Sequence, residues 1–123
     1  MKIQESAENY LETILILKNR LGAVRSIDIA NELKFSKASV SEAIKRLWAN
    51  DYIDIDNSGY ITLKAKGLGI AEAIYERHTL LSQWLIAMGV TQTTAKEDAC
   101  KLEHDLSEES FEKLKVFMAK HMK

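Results

Sequence analysis

The sequence predicts a mainly α-helical chain in which three helices and a β-hairpin are followed by an all-helical segment. Three observations predict it. The 123 residues contain no proline and only five glycines, so little interrupts a helix. Apolar residues recur at helical spacing through most of the chain. Between Tyr52 and Leu63 the period changes to two, the mark of strands.

The elements follow in order. "SAENYLETILILKNRLG" carries Tyr10, Leu11, Ile14, Leu15, Leu17 and Leu21 as one stripe, closed by Gly22. "SIDIANELKF" is predicted to start at Ser26 as N-cap, with Asp28 in the first turn and Ile27, Ala30 and Leu33 facing inward. "SKASVSEAIKRLWAND" begins at a second capping serine, Ser36, and turns Val40, Ala43, Ile44, Leu47 and Trp48 inward. Tyr52, Ile53 and Ile55, then "DNSG", then Tyr60, Ile61 and Leu63 read as two short strands joined by a tight turn at Gly59. A long helix is predicted from Lys64 to Met88 despite Gly67 and Gly69, with Leu80, Leu81, Trp84, Leu85 and Met88 as core or interface positions. Thr94 to Glu97 reads as a capping box opening the next helix, and Ser107 as the cap of the last. The organisation expected is a first domain over residues 1–70 and a second over 71–123.

The totals exclude several classes. No apolar run approaches the ~20 residues needed to span a bilayer. The stretch "MKIQESAENYLETILILKN" interleaves charges with its apolar residues and has no small-residue cleavage site, so no export signal is read there. One cysteine cannot make a disulfide framework, and a cytoplasmic protein is expected. A net charge of −1 gives no bulk attraction to nucleic acid, so any DNA contact must rest on local geometry.

Such geometry is present in the first domain. Helix, helix, short turn, helix and hairpin is the order of a winged helix-turn-helix, with "ELKFSKAS" as the turn. In that arrangement the helix from Ser36 enters the major groove by its N-terminal end. Ser36, Lys37, Ala38, Ser39, Ser41 and Glu42 occupy that end, and their small or polar side chains allow approach to base edges. Lys45 and Arg46 lie a turn further on. With Arg25, Lys34 and Lys64, they are expected to meet phosphates. No catalytic residue is assigned, and an enzyme is not expected.

The second domain holds "CKLEHDLS". Cys100, Glu103 and His104 stand at i, i+3 and i+4, so on a helix they share one face. Thiolate, carboxylate and imidazole together suit a first-row transition ion and not Mg²⁺ or Ca²⁺. One helical turn does not encircle an ion; His78 is the candidate further ligand, with Asn9 and Glu12 offered from the first helix. The plainer reading is a buried cysteine beside a histidine that favours the helix C-terminus.

Taken together, "SAENYLETIL", "IANELKFSKASVSEAIKRL", "YITLKAKG", "IYERHTLL" and "DACKLEHDLSEE" resemble successive signatures of the diphtheria toxin repressor family, which includes the manganese transport regulators. The resemblance covers nearly the whole chain. It implies a cytoplasmic homodimer that binds a divalent metal, then double-stranded operator DNA, and represses metal-homeostasis genes. By position it places His78, Cys100, Glu103 and His104 on family ligand positions. It sets Glu12 where manganese-type members have a ligating glutamate, and Asn9 where the iron type has methionine and the manganese type aspartate. Cys100 matches the iron type. Ser82 and Lys96 replace other iron-type metal positions, so the ancillary site of that type is not expected in that form. The length resembles the compact two-domain form without an SH3-like domain. Thiolate softness favours Fe(II) over Mn(II), with Zn(II), Co(II) and Ni(II) expected to substitute in vitro.

Two rivals belong to other classes. One is a winged-helix regulator sensing a redox signal or small organic ligand through Cys100. The other is a metalloenzyme, which would need an open coordination position and an adjacent base.

Overall fold

The computed structural model describes residues 5–121 and divides after Glu72 into two compact units. The first four residues of the stretch read for an export signal lie outside the described residues.

The first unit contains α1 (Glu5–Leu21), α2 (Ser26–Leu33), α3 (Lys37–Ala49), β1 (Ile53–Ile55), β2 (Ile61–Leu63) and the start of α4 (Ala65–Ala87). The strands pair antiparallel, with Ile53 opposite Leu63 and Ile55 opposite Ile61. A third backbone segment joins them through a bridge from Val24 to Ile61. Leu11, Ile14, Leu17, Val24, Ile29, Val40, Ile44, Ile53 and Ile61 are almost fully buried and form one core cluster. All three helices of this unit and both strands therefore contribute to a single apolar centre, which is what lets so small a unit hold its shape.

Gly67 marks a close approach in that unit. The Tyr52 carbonyl accepts the Lys64 N–H at 3.0 Å, and a Cβ at Gly67 would lie only 2.2 Å from the same oxygen. Glycine is thus what allows the first turn of α4 to pass the end of the hairpin.

Several expectations need correction, among them Leu21, which is exposed at the end of α1. The cap of α2 is Arg25, not Ser26: Arg25 has extended backbone, and its N–H donates to the Asp28 carboxylate at 2.9 Å. Asp28 reaching back satisfies the cap's own N–H, while the Asp28 N–H bonds the Arg25 carbonyl at 3.0 Å in place of a serine hydroxyl. The inner face of α2 accordingly runs through Ile29 and Ala30, whereas Ile27 is 40% exposed. Two residues turn a helix by about 200°, so Ile27 and Ile29 cannot share a face. On α3 the buried stripe is Val40, Ile44 and Leu47, and Trp48 falls outside it, 48% exposed.

The second unit comprises the rest of α4, α5 (Gln92–Asp105) and α6 (Glu108–His121). The cap of α5 is Thr91, not Thr94, because the Ala95 N–H already bonds the Thr91 carbonyl at 2.8 Å and the helix begins a turn earlier. Ser107 caps the next helix, its Oγ accepting the Ser110 N–H at 3.0 Å. Leu81, Ala95, Ala99, Phe111 and Met118 are buried. Of the predicted core or interface positions, Leu80, Trp84 and Leu85 are half-buried and Met88 is exposed. No helix among the described residues is long and apolar enough to cross a membrane.

Candidate metal centre and nucleic-acid interface

Helix α5 carries Cys100 and Glu103 one turn apart, so both side chains leave the same face. His78 comes from α4. Its Nδ1 lies 3.0 Å from Glu103 Oε2 and 3.7 Å from Cys100 Sγ. One ligand atom from each of the three residues falls within 4.8 Å of the others. Nitrogen, oxygen and sulfur donors bonded to one ion at about 2.1–2.3 Å stand roughly 3.0–3.7 Å apart, so the two His78 spacings already fall in the range of a coordination shell.

Burial sharpens the fit. Glu103 is completely buried, yet its Oε1 makes no hydrogen bond. Its neighbour is His104 Nε2 at 3.4 Å, which leaves a buried carboxylate oxygen without a well-formed hydrogen bond, a costly state for which a cation is the natural remedy. Cys100 is exposed, which leaves its sulfur approachable. The Cys100 sulfur and the Glu103 carboxylate, both hydrogen-bonded to His78, push that imidazole up to about 10, while partial burial pulls the other way. Without a competing ion, His78 is therefore protonated at neutral pH. The donor set suits a first-row divalent transition ion.

His104 stands beside this group. Its side chain is 4% exposed and its Nε2 lies 3.4 Å from Glu103 Oε1, in the last turn of α5. Asn9 and Glu12 belong to the first unit, on α1. Asn9 is half-buried and its carbonyl accepts the Thr13 hydroxyl at 2.8 Å; Glu12 is buried.

In the first unit, α3 shows its N-terminal end to solvent. Ser36 has an extended backbone and caps the helix, accepting the Ser39 N–H at 3.2 Å and donating to the Ser39 hydroxyl at 2.9 Å. Lys37, Ala38, Ser39, Glu42, Lys45 and Arg46 are exposed, and Ser41 is half-buried. Arg25 differs from these: its guanidinium is held by the hairpin, donating to the Ser58 carbonyl and covering the Tyr60 ring. Lys64 pairs with Asp51 at 3.3 Å.

Residues 2–60 match the N-terminal DNA-binding domain of the iron-dependent repressors, and residues 64–123 match their metal-binding and dimerisation domain. The chain belongs to the iron-dependent repressor family.

Three relatives place it within that family. An uncharacterized HTH-type transcriptional regulator of Methanocaldococcus jannaschii is 35% identical over 120 residues, covering 96% of each chain. The transcriptional regulator MntR of Escherichia coli is 31% identical over 118 residues, covering 96% of this chain and 76% of that one. Among solved structures, the manganese regulator SloR superposes with a TM-score of 0.81 at 29% identity. That match covers 97% of this chain and 55% of SloR, so this chain spans little more than half of that relative.

One residue of this repressor's second unit escaped the sequence reading. Arg77, immediately before His78, donates from Nη1 to the carbonyls of Glu103 (3.2 Å) and Leu106 (2.6 Å). Its guanidinium also lies 5.0 Å from the centroid of the Phe111 ring. An arginine next to a candidate ligand was the available signal. Its targets are main-chain oxygens, which carry no trace in side-chain pattern.

Proposed function

We propose that this protein is a metal-responsive repressor whose second unit takes a divalent transition ion through His78, Cys100 and Glu103, and whose first unit grips operator DNA with α3. The observation that carries the reading is the fully buried Glu103 carboxylate, one oxygen paired with His78 and the other without a hydrogen bond, beside an approachable thiol. When bound, the ion would take the place of the His78 proton as the positive charge beside this buried carboxylate. Cys100 offers a soft donor, His78 a lone pair once its proton has left, and Glu103 the negative charge. His104 completes the wall beside Glu103. The resemblance adds Asn9 and Glu12 to the ligand set; their assignment rests on matching family positions alone.

Cys100 favours Fe(II) over Mn(II), because a thiolate gains more from the softer ion; Zn(II), Co(II) and Ni(II) are expected to substitute in vitro. On α3 the exposed Lys37, Ala38, Ser39 and Glu42 approach base edges, half-buried Ser41 borders them, and Lys45 and Arg46 meet phosphates. The working form is a cytoplasmic homodimer, as expected of a reader of two half-sites. A groove lined by Glu76, Thr79, Leu80, Gln83, Lys115 and Met118, with Val116 and Phe117 exposed on α6, gives the second unit an apolar face for a second copy.

The test is anaerobic DNA binding titrated separately with Fe(II), Mn(II) and Zn(II). Metal should raise operator affinity by roughly 5- to 150-fold, the usual range of allosteric coupling. A response to Mn(II) where Fe(II) does nothing reverses the metal preference. Sensitivity to peroxide without any metal dependence supports a thiol switch at Cys100 instead.

A further inference from the structure

We propose that Arg25 is a positioning residue of the DNA-binding unit: its side chain fixes the tip of the β1–β2 hairpin to the start of α2 and does not itself contact phosphate. The proposal rests on the reading of the first unit as a DNA-binding unit. Sequence alone places Arg25 among the phosphate contacts, since an exposed arginine flanking a recognition motif usually serves there. The geometry points elsewhere.

Both Nε and Nη2 of Arg25 donate to one acceptor, the carbonyl of Ser58 at the hairpin tip, Nε at 3.1 Å. The guanidinium carbon lies 4.8 Å from the centroid of the Tyr60 ring. Converging donors and a ring contact fix the plane of the fork as well as its position. The turn it grips is itself braced. Asp56 Oδ1 accepts the N–H groups of Ser58 and Tyr60, each at 2.9 Å, and the Gly59 N–H bonds the Asp56 carbonyl at 3.0 Å. Gly59 sits at φ +87°, where a side chain would be strained. A turn tied in this way moves as one piece, so holding Ser58 holds the tip.

The other end of the link is equally anchored. The Arg25 N–H is bonded to Asp28, and the preceding Val24 carbonyl accepts the Ile61 N–H at 2.7 Å. Main chain at residue 24 thus secures β2 where it leaves the turn, and the side chain at residue 25 secures the turn itself. In a duplex reader, the angle between hairpin and α3 decides whether both reach the DNA together. Arg25 sets that angle from the hairpin side.

Lysine separates the two roles. A phosphate accepts an ammonium about as readily as a guanidinium, but a lysine cannot give two converging donors and a stacked plane. Because the cap at α2 uses the main-chain N–H, Arg25→Lys and Arg25→Ala both leave that helix start intact. The experiment measures amide hydrogen exchange of both variants without DNA. It then measures their Mn(II)-dependent binding, over a salt series, to a short duplex selected by the wild-type protein from a random-sequence library. The clamp predicts that both variants speed exchange at Ser58, Gly59 and Tyr60 about 10-fold, leave Ile29 and Ala30 in α2 unchanged, and weaken duplex binding to a similar extent.

Wild-type exchange and wild-type binding in Arg25→Lys, with a salt slope about one unit shallower in Arg25→Ala only, is the signature of a phosphate contact and overturns the proposal. Unchanged exchange at the tip in both variants overturns it as well. If the wild-type protein selects no duplex with Mn(II) or, anaerobically, with Fe(II), the DNA-binding reading itself has failed, and the exchange measurements alone decide whether Arg25 holds the hairpin.

Discussion

His78 Nδ1 stands 3.0 Å from Glu103 Oε2, so an imidazole of α4 and a fully buried carboxylate of α5 form a direct pair. Two helices of the second unit are thereby joined through atoms that are also the candidate metal ligands. That double use has consequences that can be measured.

The first concerns pH. In the fold His78 is raised to about 10, by the Cys100 sulfur first and then by Glu103, from an ordinary value of 6.5. A raised folded-state value means the pair stabilises the metal-free fold fully below about pH 6.5, and that this contribution is lost as pH climbs through about 10. Urea unfolding of the metal-free protein should therefore show a midpoint that falls between those limits, and the fall should vanish in Glu103→Gln,Cys100→Ala. Since His78 must also shed its proton before Nδ1 can bind metal, metal affinity should rise over the same window. Calorimetry in buffers of different ionisation enthalpy should detect proton release on metal binding, from His78 Nδ1 and from the Cys100 thiol as it becomes a thiolate; no release at neutral pH would contradict the assignment.

The second concerns softness. Cys100→Ser keeps the size of the side chain and replaces sulfur by oxygen. Affinity for Co(II) and Fe(II) should drop by roughly 100-fold, and Mn(II) affinity by much less, since hard ions lose little with a thiolate. The near-ultraviolet band that sulfur gives to bound Co(II) should disappear. An unchanged Co(II) spectrum would remove Cys100 from the site.

The third concerns Arg77, which caps the carbonyls of Glu103 and Leu106 and covers Phe111. Hydrogen bonds from a charged donor contribute about 1.5–3 kcal/mol, so Arg77→Ala should destabilise the second unit by about 2 kcal/mol. Because one capped carbonyl is that of Glu103, metal affinity should fall as well, by roughly 10-fold. Arg77→Lys should recover part of the stability. Equal metal affinity in all three proteins would show that Arg77 holds the turn without holding the site.

The fourth concerns Gly67. An added Cβ would sit 2.2 Å from the Tyr52 carbonyl oxygen, a main-chain atom that cannot rotate aside. Gly67→Ala should cost about 1–3 kcal/mol, as overpacked positions do. Gly69 has nothing within 4 Å of the same construction, so Gly69→Ala should be tolerated and is the matched control.

These residues also show what was legible beforehand. The six helices and the hairpin could be read because period 3.6 and period 2 are written in side chains, and "CKLEHDLS" could be read because i, i+3 and i+4 share a face. The start of α2 differs from the pattern because its cap N–H is held by Asp28 reaching back, which leaves Ser26 inside the helix. Trp48 has the size and spacing of an inward residue, yet it lies just past the edge of the Val40, Ile44 and Leu47 stripe. Arg77 and the hairpin grip of Arg25 were invisible for one shared reason. Both act on carbonyl oxygens distant in sequence, and every residue type carries one.

Ser36 uses its hydroxyl entirely within the cap of α3, accepting from one group of Ser39 and donating to another. Lys37, Ala38 and Glu42, by contrast, face solvent. Holding the helix in place and choosing a base sequence thus fall to different positions. A lineage could exchange the residues at 37, 38 and 42, acquiring a new operator, without disturbing the scaffold that presents them.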